Sequence, residues 1–159
     1  MIAKLLNDRV MGDLPSYFAF KVTLHGTPEA VRNGVATCMK SLASLNLDPE
    51  KLAVAELVMA ETLNNIVEHA FCGQSSPGLV RLSCAYDGRY LSLNFKDSGS
   101  ALPEHILPRP KQFEAFSDIQ SLPEGGFGWG LIHELTDEVS FKRVGRFNSL
   151  TLKIEASAD

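Results

Sequence analysis

The sequence predicts an α+β domain built as a two-layer sandwich, with helices on one face of a mixed, mostly antiparallel sheet. Apolar residues recur every three to four positions in two long segments, and they alternate with polar residues in five shorter ones. The segments follow the order β-α-α-β-β-loop-α-β-β. The chain has 159 residues, which is enough for one core and short for two, so we expect a single domain over residues 1–159.

The composition is typical of a globular protein and argues against several function classes. Hydrophobic residues make up 45% of the chain and charged residues 21%. A net charge of −4 and the lack of a basic run predict no nucleic-acid partner. Neither a bilayer-spanning stretch nor a signal-peptide pattern is found, so we expect no membrane partner and a cytoplasmic location. Three scattered cysteines without CxxC spacing indicate reduced thiols rather than disulfides or a zinc site.

The first predicted elements are a strand and two helices. The strand is predicted from alternating apolar residues at Phe18, Phe20, Val22 and Leu24. Thr27 and Asp48 are predicted N-caps, since each precedes a proline and a glutamate that suit a first helical turn. The helices should end near Leu45 and Ala70. Their predicted buried positions are Val31, Val35, Cys38, Leu42 and Leu45 in the first helix, and Leu52, Ala55, Met59, Leu63, Ile66 and Ala70 in the second.

A hairpin and a long loop follow the helices. Asp87 and Gly88 form a turn signal between two strands. Continuing the alternation of the second strand places Asp97 on the inward face of the sheet. Residues 98–124 show little periodicity and contain four prolines, so we expect a mobile lid there. The inward positions of the two strands are predicted to be Val80, Leu82, Cys84 and Tyr86, then Leu91, Leu93 and Phe95.

The end of the chain is predicted to hold a short helix and a second hairpin. A cluster of glycines within residues 125–130 opens the helix, which should end near Thr136. Residues 137–143 and 147–154 should pair as two strands around Gly145.

Three segments carry polar groups that need an explanation in an apolar setting. Glu61, Asn65 and His69 are spaced by four, so an α-helix would place them on one side. Taken singly, each has a structural interpretation: a surface or paired acid, a hydrogen-bonding core amide, and an imidazole that favours a helix C-terminus. Asp97 could equally cap a turn. The glycine cluster alone is weak, because it lacks the GK[ST] ending of a P-loop.

The order of these segments along the chain resembles the Bergerat ATP-binding fold, which is shared by gyrase, heat-shock chaperone, mismatch-repair and histidine-kinase ATPases. Within that superfamily the chain most resembles the anti-sigma-factor serine/threonine kinases, over about residues 17–154. Glu61, Asn65 and His69 match that family's helix motif, here called the N box. Residues 97–101 match its first glycine box and residues 125–132 its second.

The resemblance implies ATP and Mg²⁺ as cofactors. It implies Glu61 as the catalytic base and Asn65 as the Mg²⁺ ligand, while Asp97 would accept a hydrogen bond from the adenine amino group, directly or through water. Gly126 and Gly128 of the second box, with the N-terminus of the following helix, would offer backbone N–H groups to the phosphates. The implied nucleotide-binding residues are Asn65, His69, Asp97, Gly99, Ala101, Gly125, Gly126, Phe127, Gly128, Trp129 and Gly130.

Two positions depart from the family pattern. The first glycine box usually reads D-x-G-x-G, and Ala101 stands at its last position. Ala101 matters only if the backbone there needs a positive φ or a very close approach to the nucleotide. A Gly-Thr pair that often marks the final strand is replaced by Asn148 and Ser149. Neither change removes a charge or a ligand.

The predicted function is therefore that of an anti-sigma-factor-type kinase. The resemblance implies two protein partners, a sigma factor or similar target and an antagonist that is phosphorylated on serine or threonine, and it leaves a homodimer open. A stand-alone ATP-binding regulator that transfers no phosphate is the alternative, and retention of Glu61 favours the kinase. A histidine-kinase catalytic fragment ranks last, because the 159 residues hold no dimerisation helix pair with a phospho-acceptor His and the E-x-x-x-N pattern differs.

Overall fold

The computed structural model describes residues 18–102 and 127–156, and these form an antiparallel sheet covered on one face by helices. The predicted α+β class is confirmed. All four strand pairings in the described part are antiparallel, whereas a mixed sheet was predicted. The elements are β1 (Phe18–His25), α1 (Pro28–Leu42), α2 (Pro49–Asn65), β2 (Leu79–Tyr86), β3 (Tyr90–Asp97), α3 (Phe127–Leu135), β4 (Glu138–Val144) and β5 (Phe147–Glu155).

The strands are arranged in the order β1-β2-β3-β5-β4. The turn between β2 and β3 is closed by Asp87, whose Oδ1 accepts hydrogen bonds from the backbone N–H groups of Arg89 and Tyr90. Gly88 has a φ of 98°, which a side chain rarely tolerates. The register sets Asp97 opposite Asn148, and Asn148 in turn opposite Arg143. The ends of β3, β5 and β4 therefore meet at one edge of the molecule.

Both long helices begin as their sequence predicts. Thr27 Oγ1 accepts a hydrogen bond of 3.2 Å from Ala30 N, and Asp48 Oδ1 accepts one of 2.7 Å from Glu50 N. α1 is followed by a 3₁₀ turn (Ala43–Leu45), so the helical segment ends at Leu45 as predicted. The core lies between the helices and the inward face of the sheet, and it includes two of the three free cysteines, Cys38 and Cys84.

The second helix does not keep α-helical geometry to its end. Residues Ile66–Ala70 form a π-helical turn, in which backbone bonds span one residue more than in an α-helix. The predicted end at Ala70 is correct, but the angular positions of side chains after Asn65 change. Such turns are frequent at functional sites.

Several expectations lie outside the described residues. These include nearly all of the predicted lid at 98–124, together with Gly125 and Gly126. The division of the whole chain into a single domain likewise remains a prediction. Within residues 18–102 and 127–156, none of the helices is long and apolar enough to cross a membrane.

Candidate functional site

The N box and the second glycine box meet between α2 and α3. A Cβ added to Gly128 would lie 3.0 Å from Glu61 Oε2, 3.2 Å from Asn65 Nδ2 and 3.3 Å from Asn65 Oδ1. A side chain at position 128 would therefore press on both polar groups. Glu61 is half-buried and Asn65 is only 7% exposed. The structure thus brings together residues that are more than sixty positions apart in the sequence.

Buried polar atoms without a partner concentrate at this junction. Thr62 Oγ1, Asn65 Nδ2 and Trp129 Nε1 are buried and have no hydrogen-bond partner among residues 18–102 and 127–156. A helical threonine commonly bonds the carbonyl one turn earlier, and Thr62 does not. An unpartnered buried donor costs about 1–3 kcal/mol, so these atoms on two adjoining helices make the junction a candidate place for an external group.

The first glycine box packs against the end of the same helical segment. A Cβ on Gly99 would collide with the carbonyl oxygen of Ala70, so no side chain fits there. Ser100 N donates a 2.8 Å hydrogen bond to that carbonyl. The close approach of the Ala70 backbone thus accounts for the glycine at position 99.

Asp97 is buried, with 5% exposure, at the end of β3. Its Oδ1 accepts hydrogen bonds from Gly99 N at 2.8 Å and from Asn148 Nδ2 at 2.9 Å. Burial raises the pKa of the Asp97 carboxyl, and the two hydrogen bonds and the charge of Arg143 oppose that rise. The prediction that Asp97 faces inward and needs donors is confirmed.

Arg143 and Asn148 complete a polar network around Asp97. Arg143 Nη1 donates to Asn148 Oδ1 at 2.6 Å and to the carbonyl of Gly99 at 3.1 Å. Asn148 Nδ2 also donates to the carbonyl of Ser100 at 2.9 Å. The network therefore joins the last two strands to the first glycine box.

Two of the predicted nucleotide-binding residues, His69 and Ala101, lie at exposed positions. His69 is exposed and lies within the π-helical turn, so the four-residue spacing no longer fixes it beside Glu61 and Asn65 as it would in an α-helix. Ala101 is exposed and has no positive φ; among the described non-glycine residues, only Asn46 has one. The departure at Ala101 therefore causes no backbone strain.

The described part of the second glycine box forms the start of α3. Phe127 begins the helix, Trp129 is 6% exposed, and a Cβ on Gly130 would have nothing within 4 Å. The first backbone N–H groups of a helix have no partner within it, and they lie at the positive end of the helix dipole. This end of α3 suits an anion such as a phosphate.

A metal site made wholly of protein side chains is not found in the described residues. Nowhere in residues 18–102 and 127–156 do three or more His, Cys, Asp or Glu side chains lie close enough to hold an ion. Mg²⁺ commonly takes one or two protein ligands and fills its octahedral sphere with water and phosphate oxygens. A single amide oxygen from Asn65 is compatible with that mode of binding.

The sequence reasoning did not identify Arg143 and Asn148 as site residues. Asn148 was noted only as a departure from the family pattern. A signal was present, however, because Leu150, Leu152 and Ile154 are the inward residues of β5 and the same alternation places Asn148 inward. A polar residue at the buried start of a strand would have been a candidate partner for Asp97.

Comparison with known proteins identifies the domain type. The sequence profile of the family described as "Histidine kinase-like ATPase domain" matches residues 24–154, most of the chain. No curated protein sequence matches this chain.

Several solved structures are similar to this chain, and two of them are as follows. The structure of the RsbU and RsbW domains of Rv1364c from Mycobacterium tuberculosis matches with a TM-score of 0.62 and 19% identity, over 89% of this chain and 33% of that one. A histidine kinase domain from a blue-light activated histidine kinase of Erythrobacter litoralis matches with a TM-score of 0.47 and 23% identity, over 67% of this chain and 45% of the other. The chain thus spans about a third of the first protein's length and under half of the second's. At 19% identity, the likeness to the first structure concerns the fold alone.

Proposed function

Because the chain belongs to the histidine kinase-like ATPase domain family, which implies ATP binding, we propose that it is an ATP- and Mg²⁺-dependent protein serine/threonine kinase of the anti-sigma-factor type. It acts in the cytoplasm, sequesters a sigma factor or similar regulator in one state and phosphorylates an antagonist protein in another. The observation that supports the proposal is the close approach of Glu61 and Asn65 to Gly128, because an acid and an amide then lie beside the helix start that suits phosphates.

The base end of the proposed nucleotide site is Asp97. Its carboxylate accepts a hydrogen bond from the amino group of adenine, whereas guanine presents a carbonyl oxygen at the corresponding position. The described residues direct their hydrogen bonds to Oδ1, so Oδ2 is the oxygen that we assign to the base. This arrangement favours ATP over GTP.

The phosphate end is the start of α3. Backbone N–H groups of Gly128, Trp129 and Gly130 belong to the first turn and are available to phosphate oxygens. Glycine at position 128 lets this turn approach α2 closely. Gly126 keeps its predicted role as a further backbone donor, and Gly125 remains a predicted nucleotide-binding residue.

Asn65 is the residue proposed to hold Mg²⁺. Its buried Nδ2 donates no hydrogen bond to any of the described residues, so none of these opposes a half-turn of the amide that exchanges its oxygen and nitrogen. When bound, Mg²⁺ neutralises phosphate charge and orients the transferred group. The protein contributes an oxygen of no net charge one helical turn from Glu61.

Glu61 is the proposed general base. Its half-buried carboxylate lies close to Asn65 and Gly128, where it can accept the proton of a serine or threonine hydroxyl on the antagonist protein. General bases contribute about 10²–10⁴-fold to rates. The effect here is expected toward the lower end, because phosphoryl transfer through a loose transition state depends less on the base.

A phosphorylation assay tests the kinase. Purified wild-type chain, Glu61→Gln and Glu56→Gln are each incubated with labelled ATP and with antagonist-type proteins encoded near it. Glu56 is an exposed acid of the same helix and serves as the matched control. We expect Glu61→Gln to lose transfer by about a hundredfold while its ATP affinity stays within a few-fold. Wild-type chain that binds ATP and labels none of these proteins would instead favour the non-catalytic regulator.

A further inference from the structure

The inward-facing ends of β3, β5 and β4 carry three polar residues in register. Asp97 is the partner of Asn148, and Asn148 is the partner of Arg143. Asp97 and Asn148 are buried, the latter with 2% exposure, while Arg143 is exposed. A chain of hydrogen bonds therefore runs from a surface guanidinium to a buried carboxylate.

The contacts fix the orientation of the Asn148 amide. Arg143 has only donors, so the atom of Asn148 that faces it at 2.6 Å must be the oxygen. The NH₂ group then points the other way and uses both hydrogens, one toward Asp97 Oδ1 and one toward the carbonyl of Ser100. In the reverse orientation NH₂ would face a guanidinium and the oxygen would face a carboxylate. Arg143 therefore excludes the flipped amide.

The oriented amide in turn determines which carboxylate oxygen of Asp97 is available. A carboxylate oxygen has two acceptor sites, and those of Oδ1 are filled by Gly99 N and Asn148 Nδ2. Neither Arg143, Asn148 nor Gly99 donates to Oδ2 in the described structure.

We propose that Arg143 and Asn148 are positioning residues for nucleobase selection: Arg143 fixes the Asn148 amide, and Asn148 holds Asp97 so that Oδ2 faces the exocyclic amino group of adenine. This inference rests on the proposed ATP-binding function and adds to it two residues outside the three sequence boxes. Burial raises the pKa of the Asp97 carboxyl, and the charge of Arg143 opposes that rise together with the hydrogen bonds from Gly99 and Asn148, so Arg143 favours the ionised form that excludes guanine.

Paired arginine variants of the β4–β5 hairpin test the inference. Arg143→Met removes every donor and the charge while keeping a long side chain. Arg146→Met makes the same change at an exposed residue that stacks on Phe147. ATP and GTP affinities are measured by calorimetric titration, and the Asp97 carboxyl is followed by NMR as the pH is varied.

Arg143→Met is expected to reduce the preference for ATP over GTP by about tenfold, equivalent to one hydrogen bond, and to raise the pKa of Asp97. Arg146→Met should change neither. Asn148→Ala should reduce the preference as well, and circular dichroism will show whether it remains folded. Because Arg143 is exposed, Arg143→Met is expected to stay folded. Its preference for ATP over GTP therefore decides the test if Asn148→Ala unfolds.

Two negative outcomes separate this inference from the proposed function. A wild-type chain that prefers ATP, with the preference lost in Asp97→Asn but intact in Arg143→Met, would overturn the inference and leave the proposed function standing. A wild-type chain that binds neither nucleotide would overturn both.

Discussion

At the scale of single residues, Asp97 combines an unfavourable environment with well-formed hydrogen bonds. Burial raises its pKa, so the folded state binds a proton more readily than the unfolded chain does. Its contribution to stability is therefore greatest below the unfolded pKa and declines as the pH rises through the raised folded pKa. A costly charge retained at such a position is better explained by ligand recognition than by stability.

The variant Asp97→Asn separates these two roles. It removes the buried charge but keeps an oxygen for Gly99 N and Asn148, so the free energy of unfolding at neutral pH should not fall. Affinity for ATP should drop by about ten- to a hundredfold, since a hydrogen bond to a charged acceptor contributes about 1.5–3 kcal/mol. Wild-type affinity, but not that of the variant, should also weaken as the pH falls through the raised pKa of Asp97. Urea unfolding and nucleotide titration measure both effects. A variant with unchanged ATP affinity would remove Asp97 from the base site.

Asn65→Ala addresses the metal. A methyl group cannot coordinate a hard cation, so Mg²⁺ should no longer tighten ATP binding in this variant, while binding without Mg²⁺ stays within a few-fold. Asn64→Ala, at the exposed neighbouring position, is the matched control. Titrations with and without Mg²⁺ provide the comparison. Persistent tightening in Asn65→Ala would mean that the ligand lies elsewhere.

At the scale of elements, the α2 segment with its π-helical turn supports both glycine boxes. Its middle contacts Gly128 of the second box, and Ala70 at its end contacts Gly99 of the first. Gly128 and Gly99 thus allow the two glycine boxes to approach the same helical segment closely. Any nucleotide bound by both boxes would lie along it.

Gly99→Ala and Gly130→Ala should have opposite effects on stability. At position 99 the new methyl would collide with the Ala70 carbonyl oxygen, and forced overpacking costs about 1–3 kcal/mol. At position 130 nothing lies within 4 Å, and replacing a helical glycine by alanine gains up to about 1 kcal/mol. Thermal and urea unfolding will show the signs. Equal stability of the two variants would contradict the close packing of β3 on the α2 segment.

The sequence was sufficient for elements whose signals are local. The N-caps at Thr27 and Asp48, the turn at Asp87 and the inward position of Asp97 depend on neighbouring residues, and the structure confirms them. The π-helical turn was not predicted, because one turn of sequence is too short to distinguish its periodicity from that of an α-helix. Arg143 was missed because its role depends on strand register, which pairs it with Asn148 and brings it to Gly99, forty-four residues earlier in the chain.

At the scale of the whole molecule, the fold explains why distant motifs act together. The antiparallel sheet places the end of β3 beside the start of β5, and the helical layer places α2 beside α3. In the proposed function, base recognition and phosphate recognition fall to different layers, the sheet edge and the helix pair. Family membership establishes the ATPase domain type. The proposal of partner proteins rests instead on the resemblance of the three boxes to those of the anti-sigma-factor kinases.

Titration of the wild-type chain with ATP and GTP, each with and without Mg²⁺, tests the central claim most directly. Burial of Trp129 at the start of α3 makes its fluorescence a convenient second signal. We predict that ATP binds at least about tenfold more tightly than GTP and that Mg²⁺ strengthens ATP binding. Equal affinity for the two nucleotides, or no binding of ATP, would contradict the account.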